Sequence, residues 1–157
     1  MLSWGLPGKS KPGDFHLPHG IALDHEGRVL VCGRENHRIQ VFDQEGEIRA
    51  MWTGFQQPTD VKVGPDGEVY VPELAHRFTI VDGEGEVLAR WGGESSHEAG
   101  QFVAPHGVAV DAQGDLYVGE ALAGQRVQKF TGSDSGLPAR GPFRGRGLPL
   151  GHQGADG

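Results

Sequence analysis

Gly13-Asp14-Phe15-His16-Leu17-Pro18-His19-Gly20-Ile21-Ala22 returns later in the chain as Gly100-Gln101-Phe102-Val103-Ala104-Pro105-His106-Gly107-Val108-Ala109, with a shorter variant, Gln57-Pro58-Thr59-Asp60-Val61, between them. The three prolines lie 40 and 47 residues apart. That period suits a β-propeller blade of four short strands and is too long for an ankyrin or tetratricopeptide unit.

Working outward from the prolines, each repeat resolves into strands. In the first, Gly20–Asp24 and Arg28–Cys32 are apolar runs joined by His25-Glu26-Gly27; Arg38–Phe42 alternates with period two, and Ile48–Trp52 follows the turn Asp43-Gln44-Glu45-Gly46. The second repeat has the same order, with Val61–Val63, Val69–Val71, Arg77–Val81 and Val87–Trp91. In the third, Gly107–Asp111, Asp115–Val118 and Gln125–Phe130 are legible, and the pattern stops before a fourth strand. Met1–Gly5 reads like Leu88–Gly92, and Trp4 precedes Pro18 by the same 14 residues that separate Trp91 from Pro105. Residues 1–5 are therefore expected to be the fourth strand of a preceding blade. The expected fold is all-β: three four-stranded repeats over 1–130, half of a six-bladed propeller.

The chain has 157 residues, of which 36% are apolar, enough for a core. Closed propellers have four to eight blades, so three blades leave two open faces, and open apolar edges promote association. The expected partner is a second copy or a missing N-terminal propeller half. Net charge is −7; residues 1–130 carry 11 Lys+Arg against 19 Asp+Glu. An acidic surface disfavours nucleic acid. There is no apolar run long enough for a membrane span and no signal-peptide pattern, so the expectation is a soluble, by default cytoplasmic, protein. The lone Cys32 excludes an internal disulfide and reads as a buried thiol. Residues 131–157, with 8 Gly and 3 Pro, are expected to be a disordered tail.

Equivalent positions on the first strands of different blades converge around a propeller's channel. His19 and His106 are such a pair, and repeat two places Thr59 there. Imidazoles so placed are either metal ligands, zinc foremost, or polar channel residues, since two ligands alone do not complete a site. Thr59 and the adjacent Asp60 are candidate calcium or substrate contacts. Asp24 and Asp111 end first strands and read as turn caps. His16, His25, His37, His76, His97 and His152 fall in loops, turns or the tail, with no recurrence expected. No phosphate loop, nucleophile elbow or zinc ribbon is present.

Asn36-His37-Arg38-Ile39-Gln40-Val41-Phe42 and Gln125-Arg126-Val127-Gln128-Lys129-Phe130 resemble the signature of NHL-repeat propellers. Leu17-Pro18-His19-Gly20, Arg34-Glu35-Asn36, Gln57-Pro58-Thr59-Asp60, Trp91-Gly92-Gly93-Glu94-Ser95-Ser96 and Pro105-His106-Gly107 are together similar to the six-bladed peptidyl-α-hydroxyglycine α-amidating lyases and their bacterial relatives. The resemblance covers about residues 1–130 and corresponds to the C-terminal half of such a propeller. It implies zinc held by Pro-His histidines, of which His19 and His106 match two, structural calcium, and a small peptide-like substrate cleaved at a C–N bond to an amide and glyoxylate. The family's third histidine, its tyrosine and its arginine find no match. No catalytic residue is therefore assigned, and the chain is expected to be inactive alone. The alternative is a non-catalytic NHL scaffold for a protein or small ligand.

Overall fold

The computed structural model describes residues 1–131; the tail beyond, for which disorder is expected, lies outside the described residues. Among the described residues, thirteen strands follow one another without a helix. β1 (Leu6–Pro7) and β2 (Asp14–Phe15) form a small parallel pair at the N-terminus. The first blade is β3 (Pro18–Leu23), β4 (Val29–Gly33), β5 (Arg38–Phe42) and β6 (Ile48–Trp52). The second is β7 (Lys62–Val63), β8 (Val69–Glu73), β9 (Arg77–Val81) and β10 (Val87–Gly92). β11 (Pro105–Val110), β12 (Leu116–Glu120) and β13 (Arg126–Phe130) make the third, which has three strands among the described residues. Strand order within each blade is sequential and antiparallel, the meander of a propeller blade.

Four of the hairpin turns are built by one device. The carboxylate of Asp24 accepts the backbone N–H groups of Glu26 and Arg28 at 2.9 and 2.8 Å, and Asp43, Asp82 and Asp111 repeat the pattern two and four residues on. Turn donors that would otherwise be orphaned are thereby satisfied.

Successive side chains of a strand point to opposite faces, so the continuously buried β4 and β8 present residues to the blades or loops packed on both sides. Leu30, Cys32, Ile39 and Val41 of the first blade pack against Val69, Val71 and Val81 of the second. The second blade's other face, Tyr70, Phe78 and Ile80, packs against Leu116, Val118 and Phe130 of the third. The aromatic centre of that interface is Phe102, buried among Phe78, Trp91 and Phe130 at centroid separations of 5.7–5.9 Å. Such rings bury large area and add a geometric preference for tilted contact.

The N-terminus differs from its expected form. Residues 1–5 are not a strand. A fourth strand is held by the third strand of its own blade, and no such strand for residues 1–5 is among the described residues. Trp4 nonetheless takes the side-chain position of its counterpart: it lies 6.1 Å from Phe42, as Trp91 does from Phe130. Packing on the following blade is thus retained where the sheet pairing is not.

Candidate functional site

His19 and His106 meet edge to face, ring centroids 4.8 Å apart, at the starts of the first strands of blades one and three. Blade two lies between them and contributes Thr59. His19 Nδ1 is 2.6 Å from the Thr59 carbonyl oxygen, so that nitrogen carries the proton and donates, leaving Nε2 with its lone pair. The Thr59 side chain is buried; its hydroxyl donates between the carbonyl oxygens of Pro72 and Pro105, 3.1 Å from each. Asp60 accepts from Val61 N at 2.9 Å with one carboxylate oxygen and from Val108 N at 3.2 Å with the other. Thr59 and Asp60 therefore tie three blades together immediately behind the histidines.

Gly20 permits this approach. A Cβ there would stand 2.6 Å from the Asp60 Cα, closer than atoms pack, so the residue after His19 must lack a side chain for blades one and two to meet. The Cys32 thiol, buried and pushed well up by that burial, donates to the Asp60 carbonyl at 3.2 Å and is no nucleophile.

Burial holds His106 below its ordinary value near 6.5, with neighbouring His19 and the charge of Arg34 adding to the effect. A neutral imidazole is the form that binds a metal. Arg34 is a site residue that sequence reasoning missed. It follows β4 in the loop to β5, its Nε donates to Glu35 Oε1 at 2.8 Å, and Gln57 Nε2 donates to the same oxygen at 3.2 Å. Arg34 fixes Glu35 as a carboxylate, its hydrogen bond holding that pKa down. Arg34, close enough to lower the His106 pKa, thus holds Glu35 and through it Gln57 in one network. Among the described residues, no group of three or more His, Cys, Asp or Glu side chains is placed to hold a metal ion.

Two other histidines correct the sequence reading. His37 and His76 do occupy equivalent positions, each just before the arginine that opens a third strand and each at positive φ, 56° and 64°. Their Nδ1 atoms accept from Gln57 N at 3.1 Å and Ala104 N at 3.0 Å, in the residues that precede Pro58 and Pro105. Each histidine satisfies a donor of the next blade. Glu73 and Glu120 are likewise structural. Both are buried and paired, with Arg77 at 2.6 Å and Arg126 at 3.1 Å.

The signature residues Arg38/Gln40 and Arg126/Gln128 clamp the loops that enter their blades. Gln40 accepts from Gly13 N at 2.8 Å and donates to Asp14 O at 2.9 Å; Gln128 accepts from Gly100 N at 2.9 Å and donates to Gln101 O at 2.7 Å. Arg38 donates to the carbonyls of Ser10, Lys11 and Asp14, and Arg126 to those of Ser96, His97, Glu98 and Gln101. The family model for the NHL repeat matches at residues 15–42 and 102–130, the segments that contain these clamps. The chain carries NHL repeats.

Human NHL repeat-containing protein 3 is 33% identical over 151 residues, covering 90% of this chain and 43% of that protein. A Caenorhabditis elegans protein named as a probable peptidyl-alpha-hydroxyglycine alpha-amidating lyase, pgal-1, is 25% identical over 133 residues, covering 76% of this chain and 38% of that one. This NHL chain spans less than half the length of either relative. Among solved structures, a streptogramin B lyase superposes with a TM-score of 0.55 at 19% identity, covering 71% of this chain and 36% of that one. A Bacteroides caccae protein of unknown function gives 0.58 at 15% identity, covering 69% and 43%. At these identities the likeness is one of fold: NHL repeats folded as part of a propeller.

Proposed function

We propose that this chain is the part of an amidating-lyase-like NHL propeller that supplies two of the imidazoles of a metal site. The observation that carries the reading is the contact of His19 with His106, with the Thr59 carbonyl fixing the His19 tautomer so that Nε2 is the ligand atom. The distant similarity to pgal-1 and the recurrence of Pro-His at Pro18-His19 and Pro105-His106 support it. These residues fit zinc in kind and in spacing, but a catalytic zinc takes three protein ligands, and the third would come from blades outside the described residues. Zinc, when bound, would polarise a substrate hydroxyl. The chain's own residues would hold the ligand nitrogens in place, keep His106 neutral and present Arg34 to a substrate carboxylate.

The reading is tested by zinc calorimetry on the chain and on His19→Ala and His106→Ala, together with glyoxylate release from an α-hydroxyglycine peptide. Zinc affinity should fall in both variants. No glyoxylate should appear above background from the chain alone, since general acid–base groups contribute about 10²–10⁴-fold each and none is matched here. Unchanged zinc binding in both variants sinks the proposal.

A non-catalytic scaffold is the second reading. It is favoured by the greater identity to NHL repeat-containing protein 3. Under it His19 and His106 are a polar inter-blade contact, and zinc leaves stability unchanged.

A further inference from the structure

Successive blades are joined by the same three contacts. At the first junction Leu30, Cys32, Ile39 and Val41 pack on Val69, Val71 and Val81, His37 Nδ1 accepts the Gln57 N–H, and Trp52 from the fourth strand of blade one covers Gly85 of blade two. The second junction repeats the design, with His76 accepting the Ala104 N–H and Trp91 packed on Phe130. The chain also holds both halves of a third junction, on the rear of blade one and the front of blade three.

On the rear of blade one, Trp4 and Phe15 already sit on Phe42 at 6.1 and 5.9 Å, with the Trp4 indole over Gly46. Ile21 and Leu23 beside them are exposed, although Val61, the counterpart of Ile21, is buried. Leu17 precedes its proline as Gln57 and Ala104 do, at the same positive φ (56° against 55° and 50°), and its N–H has no partner among the described residues. On the front of blade three, Gln125 stands where His37 and His76 stand, also at positive φ, and is exposed. Val127 is 72% exposed where its counterparts Ile39 and Phe78 are 0%. The outer edge of β13 pairs with no strand among the described residues. Lys129 on this face is no obstacle to packing, because Asp115 binds it at 2.9 Å and it lies over the Tyr117 ring.

We infer that residues 2–5 of one copy add to β13 of a second copy as the fourth strand of its third blade, so that two copies close a six-bladed ring. Trp4 need not move: a fourth-strand tryptophan is housed in the following blade, so β13 of the second copy comes to a segment already in place. The register of β10 on β9, in which Trp91 faces Phe78 and Ala89 faces Ile80, sets Trp4 opposite Val127 and Leu2 opposite Lys129. The Gln125 amide oxygen then accepts the Leu17 N–H, completing the series begun by His37 and His76. A second copy is the fitting partner because each copy carries both complementary halves, and two-fold closure leaves neither unused. Blade number agrees: closed propellers have about four to eight blades, and three per copy makes two copies the one multiple in that range.

Strand partners stand about 4.5–5.5 Å apart at Cα, within disulfide reach. Chains carrying Leu2→Cys and Lys129→Cys are therefore mixed in a glutathione redox buffer, with the buried Cys32 left in place. The mixture should give a covalent dimer on a non-reducing gel. Neither variant alone should, since its two new cysteines lie at different junctions, and nor should Leu2→Cys mixed with Glu84→Cys, a substitution in the exposed turn of blade two. The parent chain should sediment as a dimer at tens of micromolar. Val127→Lys, harmless to the fold of a single copy because the side chain is exposed there, should weaken the dimer about a hundredfold, one buried valine being lost at each of two junctions. A monomer, a species larger than a dimer, cross-linking no greater in the Leu2/Lys129 mixture than in the controls, or an undiminished dimer in Val127→Lys would each overturn the inference.

Discussion

Gln128→Leu separates the role of the glutamine clamp from that of packing. Leucine is close to glutamine in volume, so no cavity opens, and what is lost is polar. Gly100 N–H is buried and has Gln128 Oε1 as its partner at 2.9 Å; Gln101 O loses Gln128 but keeps Arg126, and Glu120 loses one donor but keeps Arg126 and Val103 N–H. One stranded buried donor costs about 1–3 kcal/mol and each bond lost by a group that keeps another partner costs up to about 1. The expected destabilisation is about 2–4 kcal/mol. In Gln40→Leu the stranded donor is Gly13 N–H, which is only half-buried and passes to water, while Asp14 O keeps Arg38 at 3.0 Å; about 1–2 kcal/mol is expected there. Urea unfolding followed by tryptophan fluorescence gives both numbers, provided the slopes match the parent. A loss under about 0.5 kcal/mol for Gln128→Leu, or a larger loss for Gln40→Leu, would refute the claim that the clamp secures the entry loop.

Gly85 and Gly114 both have positive φ, 88° and 83°, but only at Gly85 would a Cβ run into a side chain, the indole of Trp52. Gly114→Ala should cost about 1–2 kcal/mol for the backbone alone, and Gly85→Ala measurably more in the same melt. Phe102→Ala, which empties the middle of the aromatic cluster, should cost about 3–5 kcal/mol. Because burial, with His19 and Arg34, lowers the pKa of His106 in the folded state, the unfolded chain takes up the proton first on acidification. Stability should therefore fall as pH drops below about 6.5 toward the folded-state value, and His106→Asn should flatten that slope in thermal melts across the window. Ile21 and Leu23 are 68% and 63% exposed while Val61, the counterpart of Ile21 in blade two, is 3% exposed. We propose that this face associates at micromolar concentration, a state that light scattering should detect and that Leu23→Lys should abolish.

The blades were legible because alternation and turn residues are local properties: Arg38–Phe42, Ile48–Trp52 and Arg77–Val81 have the boundaries read from the sequence. Tandem repetition also marked His19 and His106, since equivalent positions on the first strands of different blades converge on the channel. What could not be read depends on contacts between blades. Arg34 belongs beside His106 only once blades one and three flank blade two. The equivalence of His37 and His76 was available from their shared place before Arg38 and Arg77, but a histidine in a polar loop carries no pattern, and its acceptor role appears only against the next blade. Thr59, read as a channel residue, acts through its carbonyl, an atom every residue has. Met1–Gly5 showed the composition of a fourth strand, yet a strand exists only where a neighbour receives its hydrogen bonds.

The tryptophan that leads into each entry loop is encoded with one blade and housed in the next. The indole of Trp4 covers Gly46 and that of Trp52 covers Gly85, glycines in the turn between the third and fourth strands of the following blade. The unit that duplicates is therefore out of phase with the unit that packs. A blade moved between such proteins by recombination at Pro58 would bring its own turn glycine but inherit its neighbour's tryptophan, so successful exchanges should be restricted to donors that keep glycine at that turn, however well their strand lengths agree.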